Sequence, residues 1–355
     1  MPAKKAHFRP CVSLGLTFLG FIVFALLGGG VLLSRDTKYL VDYAGEAKID
    51  IGLSYDGIYK LGADEAGAYR QSRQHLVDLI LAQPAAKPPR GVSLVGLARA
   101  CPPVAMGKPD HPGWPVPTIC IVHFNDIFER NGKADWATDS PVEMQVYMNE
   151  PERAGFETYS NGEMKDSKGR TIFYQANKIG EVQGFPVYRN KSNTEIMILS
   201  RNRRPIWLPL SQEEYLNLWI RTMEKELAEM GDYAKDPSNL LRKRLERHRT
   251  ILAGLSPAER QAQAMYLRSE DPFEPDLAFK ASEWAWPLVI VNPEWFDPAS
   301  PRTAVQFISV IFDYGSTFDP DDPKPGDDGT VAALRLLNMK STSDWKTMSS
   351  SLLEH

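Results

Sequence analysis

The sequence is poor in cysteine and carries no excess of positive charge. Only 3 of its 355 residues are cysteine, which excludes a small scaffold held together by disulfides. The net charge is −4, and because the first 34 residues carry +3, the rest of the chain carries −7. An acidic body argues against general nucleic-acid binding, which needs lysine and arginine to neutralise phosphates. Apolar residues make up 43% of the chain, a share typical of a folded globular protein.

The sequence also lacks the short motifs that identify common catalytic sites. It contains no G-x-x-x-x-G-K-[ST] phosphate loop, no dinucleotide-binding glycine fingerprint and no H-E-x-x-H zinc motif. The nearest approach to a nucleophile elbow, in residues 52–56, fails at its last position. We therefore predict no catalytic residue, no metal ligand and no cofactor from local motifs. A Ser–His–acid site would have to assemble from residues distant in the sequence.

One long hydrophobic run is present near the start of the chain. Residues 11–33 contain no charged side chain. As a helix this run would extend roughly 34 Å at a rise of 1.5 Å per residue, which is enough to cross a hydrocarbon core of about 30 Å. The sequence thus predicts a single transmembrane helix over residues 11–33, with the lipid bilayer as its partner.

The charges that flank this run predict its orientation. Lys4, Lys5 and Arg9 precede it, and short basic tails stay in the cytoplasm. We expect residues 1–10 to form a cytoplasmic tail and residues 34–355 to be extracytoplasmic, in the periplasm if the cell is bacterial. A cleaved signal peptide is the main alternative, because residues 28–30 are small enough for a peptidase site; the length of the run favours an uncleaved signal anchor.

Two cysteines, Cys101 and Cys120, lie outside the hydrophobic run. If the body is exported, an oxidising compartment allows them to form a disulfide. Closing a loop of this size would contribute roughly 3 kcal/mol in the chain-entropy model. Two unpaired thiols, or a metal site that includes the nearby His111 and His123, are the alternatives, although the spacing is poor for zinc.

The body divides by pattern into three regions. Residues 34–208 contain repeated short runs with strand character and turn signals, interrupted by a long loop at 84–117 that holds nine prolines and one short strand candidate at 92–97. Residues 209–271 have helical periodicity, with three predicted helices beginning at Ser211, Asp236 and Ser256. Residues 272–355 contain further strands that we expect to pack on the same body. The run at 304–312 is apolar on both faces, so we place it inside a sheet.

Strands on both sides of a helical stretch predict an α+β fold. We expect a mixed, mainly antiparallel sheet with a helical insert, preceded by the transmembrane helix.

The candidate ligand-binding residues are basic or aromatic. Arg201, Arg203 and Arg204 form a local cluster beside Trp207, and guanidinium groups suit carboxylate or phosphate. Trp114 lies within the proline-rich loop, and long ordered loops are often functional. The Trp284-Ala-Trp286-Pro stretch adds further flat apolar surface of the kind that suits sugars or proline-rich peptides.

These observations lead to two hypotheses. The first is a single-pass, membrane-anchored extracytoplasmic protein that binds or scaffolds a protein partner or an envelope polymer. The second is an extracytoplasmic hydrolase whose site assembles near residues 101–123, around His111 or His123.

Overall fold

The computed structural model describes residues 38–52, 59, 61–100, 115–136, 142–153, 156–162, 164–192, 194–200, 204–231, 233, 236, 239–279, 282, 284–316, 318–323 and 330–352. The predicted membrane segment 11–33 lies outside these ranges. Within them, no helix is both long enough and apolar enough to cross a bilayer.

The described chain is a mixed α+β fold. Its six helices are α1 (Ala63–Leu81), α2 (Gln212–Met230), α3 (Leu240–Gly254), α4 (Pro257–Gln261), α5 (Thr330–Thr342) and α6 (Trp345–Leu352). Its strands are β1 (Ala47–Ile51), β2 (Val92–Ala100), β3 (Thr118–Arg130), β4 (Lys133–Trp136), β5 (Glu143–Met148), β6 (Ile172–Tyr174), β7 (Asn177–Val182), β8 (Phe185–Arg189), β9 (Glu195–Ile198), β10 (Trp207–Pro209), β11 (Met265–Tyr266), β12 (Trp286–Val291) and β13 (Ile308–Asp313).

The strands form two sheets. The larger has nine strands in the order β1-β2-β3-β5-β13-β9-β8-β7, with β4 paired to β3. It is mixed, because β1 and β2 run parallel whereas β3, β5, β13, β9, β8 and β7 pair antiparallel with their neighbours. The smaller sheet has four strands, in which β12 pairs with β10, β11 and β6. The sequence predicts strands on both sides of a helical stretch, but it does not divide them between two sheets.

The central strand of the large sheet faces two different cores. Ile308, Val310 and Phe312 of β13 lie in a core that the sheet shares with α1, α5 and α6. Phe307 and Ile311, which point the other way, lie in a second core between the two sheets. Successive side chains of a strand point to opposite faces. The prediction that residues 304–312 lie inside a sheet is therefore confirmed for β13.

The central strand of the small sheet repeats this arrangement. Val289 and Val291 of β12 face the core between the sheets, whereas Leu288 and Ile290 face a third core that includes Tyr215 of α2. The layers of the molecule thus run helix, sheet, sheet, helix. This order gives the small sheet a face that α2 and α3 cover.

Two of the predicted helix starts, Ser211 and Ser256, cap their helices with their side chains. The Ser211 side chain caps α2 by accepting a hydrogen bond from the Glu214 amide at 3.1 Å. The Glu214 carboxylate does not return this bond to Ser211, as a capping box would require, but instead accepts from the Ser167 hydroxyl at 3.0 Å. At α4 both arms of the box are present, between Ser256 and Glu259. Ser211 therefore begins its helix as predicted while Glu214 joins α2 to a distant turn.

Two predicted helix boundaries are wrong. The helix expected from Asp236 begins at Leu240, with Asn239 as its cap, because the Asn239 side chain accepts from the amides of residues 241 and 242. The helix expected from Ser256 ends at Gln261, although the helical region is predicted to extend to residue 271. Residues 265 and 266 form β11 instead, since pairing with β12 satisfies their backbone groups within the small sheet.

Candidate functional site

Two members of the predicted ligand cluster, Arg204 and Trp207, lie within the described residues, and both contact other parts of the fold. Trp207 is half-buried and packs edge-on against Phe156, with 4.1 Å between ring centroids. The exposed Arg204 donates a hydrogen bond from Nη1 to the backbone oxygen of Glu294 at 2.6 Å. A role of either side chain in ligand binding stays a prediction. Trp114, Arg201 and Arg203, the other predicted members, lie outside the described residues.

Cys120, one member of the predicted disulfide, lies on β3 and is fully buried in the core beneath the large sheet. It forms no disulfide with any described residue, and burial raises the pKa of its thiol to about 12. Its neighbour across the β2–β3 pair is Ala98. Cys101 lies outside the described residues, so its pairing with Cys120 stays a prediction.

Alkylation with iodoacetamide tests the state of Cys120. We expect no reaction of Cys120 in the native chain at pH 8, because the thiol is buried and protonated and the thiolate is the nucleophile. Mass spectrometry after unfolding without reductant then counts free thiols. If Cys101 and Cys120 are paired, only Cys11 of the three cysteines is labelled. Labelling of all three contradicts the disulfide, and rapid labelling of native Cys120 contradicts its burial; Cys120→Ala identifies the peptide.

His123, the described histidine of the second hypothesis, lies on the large sheet beside a carboxylate. Its Nδ1 is 3.3 Å from Oε2 of Glu143 on the neighbouring strand β5. The Glu143 carboxylate also accepts a hydrogen bond from Gln145. No group of three histidine, cysteine or acidic residues that could hold a metal occurs among the described residues. His111 lies outside them.

The most concentrated chemistry of the described chain is a group of aromatic rings on the small sheet. Tyr266 of β11 lies directly opposite Trp286 of β12, and Tyr174 of β6 lies opposite Leu288. Leu288 faces the core beneath α2. Because side chains of directly paired residues share a face, and Trp286 is two residues from Leu288, all three rings lie on the helix-covered face of the small sheet.

A fourth ring, Tyr159, completes the group. The Tyr159, Tyr174 and Tyr266 rings lie 5.5–5.6 Å apart in edge-to-face contacts, the geometry that aromatic quadrupoles favour. Tyr215 of α2 holds the Tyr159 ring in place through a hydrogen bond between their hydroxyl groups. Its hydroxyl donates to the backbone oxygen of Asp276 at 2.9 Å and lies 3.2 Å from the Tyr159 hydroxyl, so Tyr159 is the donor of that second bond.

The rings converge on the ammonium of Lys191. Its Nζ lies 3.4 Å from the centroid of the Tyr174 ring, 4.4 Å from that of Trp286 and 5.8 Å from that of Tyr266. All three distances fall within the range for cation–π attraction, which extends to about 6 Å. We call the set of Tyr174, Tyr266, Trp286 and the supporting Tyr159 the aromatic cage.

The turn that carries Lys191 is held by polar contacts on both sides. Lys191 follows β8, and the backbone amide and hydroxyl of Ser192 both donate to Oε1 of Glu157, at 2.9 and 3.0 Å. The amide of Thr194 donates to the Asn190 side chain at 3.0 Å. The backbone of the turn is thus fixed, whereas the Lys191 residue itself is exposed.

The environment of the cage keeps its hydroxyls neutral. Burial is the main cause that raises the pKa of the Tyr159, Tyr174 and Tyr266 phenols. A phenol with a raised pKa supplies no phenolate at physiological pH. Burial also lowers the pKa of Lys191, and the Glu157 carboxylate opposes that effect. The cage therefore offers ring faces and neutral hydroxyls to a cation rather than a charged nucleophile.

Sequence reasoning singled out Trp286 only as part of a possible apolar surface and missed the rest of the cage. Tyr174, Tyr266 and Lys191 are far apart in the chain and carry no local motif; strand register alone brings them together. Trp284, in the same stretch, is 73% exposed.

The chain matches no protein-family model, no curated protein and no solved structure.

Proposed function

We propose that the protein is a single-pass, membrane-anchored extracytoplasmic binding protein that holds its ligand at the aromatic cage. The cage carries this proposal, because three rings from three strands of one sheet meet at a single partly exposed cation. Such convergence of ring faces recognises a ligand without transforming it. The partner classes predicted from the sequence, an envelope polymer or another protein, remain the candidates for what the whole body binds.

The chemistry around the cage favours binding over catalysis. Its phenols are neutral, and it contains no metal-binding group among the described residues. Covalent catalysis needs an activated nucleophile beside a base. What the cage supplies instead is a preformed aromatic surface with one polar cation, the composition typical of a ligand site.

The proposed location rests on the uncharged run at 11–33, which prefers a hydrocarbon environment to water. Expression of the full chain in a bacterial host tests it. We expect the chain to remain in the membrane fraction after alkaline carbonate extraction and its body to be digested when protease is added to spheroplasts. Two arginines at the centre of the run, Ile22→Arg and Val23→Arg, should release the chain, because each costs about 2.5–3.5 kcal/mol at the centre of a membrane helix.

The matched control replaces the same two residues with leucine and should stay in the membrane. A full chain that is extracted by carbonate, or a body that the added protease cannot reach, would overturn the proposed location. Intact-mass measurement separates an anchor from a cleaved signal peptide, since cleavage removes the first residues of the chain.

An extracytoplasmic hydrolase is the second candidate, favoured by the His123–Glu143 pair. A carboxylate at 3.3 Å from Nδ1 can orient an imidazole as a general base. Among the described residues, however, no serine, threonine or cysteine side chain is hydrogen-bonded to His123. Chromogenic esters, amides and glycosides test this candidate. Turnover that His123→Ala abolishes would support it, and no turnover by the folded chain would reject it.

A further inference from the structure

The contacts of Lys191 indicate which ligand the aromatic cage recognises. We propose that the cage binds a quaternary ammonium group and that Lys191 is an internal cation that occupies the site until such a ligand displaces it. The proposal rests on the binding role proposed above and names the ligand class of that same site.

The cage is built for a positive charge. The faces of aromatic rings carry partial negative charge, and tryptophan is the strongest of the three aromatic residues in attracting cations. Here Trp286 and Tyr174 both lie within 4.4 Å of one nitrogen. Their cross-strand positions fix them before any ligand arrives, so binding does not require the rings to be ordered.

The protein contacts of the Lys191 ammonium distinguish a quaternary from a primary ammonium. Within the part of the chain that the structure describes, Lys191 Nζ makes no hydrogen bond and no ion pair. A primary ammonium has three N–H donors that lose solvation when they enter such a site, and burial correspondingly lowers the pKa of Lys191. A fully methylated ammonium has no N–H to satisfy, and its methyl groups contact the ring faces directly. The cage therefore suits the methylated cation better than its present occupant.

Displacement of Lys191 requires only a side-chain movement. The backbone on either side of Lys191 is held through Glu157 and Asn190, and Lys191 is exposed. The side chain can swing into solvent, where its ammonium regains full hydration, while the turn stays in place. A ligand can then bind only the molecules in which Lys191 has left the cage. Its apparent affinity is therefore its intrinsic affinity multiplied by the fraction of molecules with an empty cage.

The experiment uses the full chain in an uncharged maltoside detergent and tetramethylammonium as the probe. Binding is measured by calorimetry and by saturation transfer to the methyl protons, against sodium chloride at equal ionic strength. We expect Lys191→Ala to tighten binding at least about tenfold, because the competing cation is removed. Lys178→Ala is the matched control: this exposed lysine pairs with Glu181, away from the cage, and its removal should leave the affinity unchanged.

A second substitution ties the binding to the rings. In the Lys191→Ala background, Trp286→Ala should abolish tetramethylammonium binding; if that variant does not fold, Tyr174→Leu in the same background takes its place. Binding that survives loss of the ring would overturn the proposal. So would Lys191→Ala that lowers the melting temperature without any gain in affinity, since Lys191 would then only fasten the turn to the small sheet.

Two further probes separate the sources of a quaternary ammonium. Choline represents a free solute, and a short-chain phosphatidylcholine below its micellar concentration represents a lipid headgroup. Binding of either supports the cage as a quaternary-ammonium site, and the tighter of the two identifies the source. These measurements do not depend on where the chain resides in a cell. A failure here leaves the proposed membrane location standing, and a failed spheroplast assay leaves the ammonium result standing.

Discussion

Replacing Glu195 with glutamine is expected to lower the free energy of unfolding by about 3 kcal/mol, the cost typical of removing one partner from a buried ion pair. The Glu195 side chain is 2% exposed and lies between two cations. Lys340 Nζ of α5 is 2.5 Å from Oε2, and Arg189 Nη2 of β8 is 2.9 Å from Oε1. The Tyr314 hydroxyl donates to Oε2 at 2.8 Å. Glutamine would leave the half-buried Lys340 without its charged partner and Arg189 with only the exposed Asp321. Urea unfolding followed by tryptophan fluorescence measures the loss.

A second carboxylate on the same arginine provides the control. Asp321 also pairs with Arg189, but its side chain is 68% exposed, so Asp321→Asn should cost about 1 kcal/mol or less. The double variant Glu195→Gln with Lys340→Met should be less damaging than the sum of its single changes, because Lys340 is no longer an unpaired cation. If Glu195→Gln and Asp321→Asn lowered the free energy of unfolding equally, burial would not determine how much each ion pair with Arg189 contributes to stability.

The same network makes stability depend on pH. Burial raises the pKa of Glu195, but hydrogen bonds from Lys340, Arg189 and Tyr314 outweigh it and hold the pKa below its ordinary value of 4.5. A lowered pKa means that the folded state favours the ionised form. The contribution of Glu195 is therefore present above pH 4.5 and is lost as the pH falls through the folded-state pKa. The stability difference between the natural chain and Glu195→Gln should narrow below that pH.

Local patterns in the sequence predicted the elements whose stabilising contacts are also local. The Ser211 cap is confirmed because an N-cap bond joins residues only three apart. The Gln183-Gly184 turn between β7 and β8 is equally local: both residues have positive φ, at 53° and 87°, as in the tight turns that two-residue hairpins favour. The two-sided apolar run at 304–312 identified a central strand without any knowledge of its neighbours.

Partner choice between distant segments was not predictable in the same way. The strand β2 is nine residues long and pairs along its length with β3, whereas the sequence predicts only a short strand candidate at 92–97 within the proline-rich loop 84–117. Prolines at the ends of a segment do not disturb a proline-free run between them. The division into two sheets is a similar case, since β6 and β10 both pair with β12 from much later in the chain.

The aromatic cage also depends on contacts between distant segments, which local sequence patterns do not reveal. Arg204 and Trp207 stood out because their chemistry is concentrated in a few neighbouring residues, yet both make contacts that hold the fold. The aromatic cage draws Tyr174, Tyr266 and Trp286 from three separate strands, so its geometry exists only after the register of the small sheet is set. A search for clustered motifs in one sequence favours the former kind of site and misses the latter.

Replacing Asn149 with alanine is expected to destabilise the fold most, by about 4 kcal/mol, because buried polar groups left without partners cost about 1–3 kcal/mol each. Asn149 follows β5 and is 4% exposed. Its Oδ1 accepts from the amides of Gln306 and Phe307, at 2.8 and 3.2 Å. Its Nδ2 donates to the backbone oxygens of Ala304 and Val116, at 2.8 and 3.3 Å. One side chain thus satisfies four backbone groups where three segments meet, and urea unfolding measures its loss.

Two further variants separate the causes of this loss. Asn149 has a φ of 58°, where alanine costs roughly 1–2 kcal/mol and glycine does not. Asn149→Gly should therefore be more stable than Asn149→Ala by roughly 1–2 kcal/mol of unfolding free energy, although it also lacks the four hydrogen bonds. Asn149→Asp keeps both acceptor positions but turns a carboxylate oxygen toward two carbonyl oxygens. It should gain relative stability as the pH falls and the carboxyl becomes able to donate. Equal stability of the glycine variant and the natural chain would mean that the backbone conformation, rather than the hydrogen bonds, explains why asparagine occupies this position.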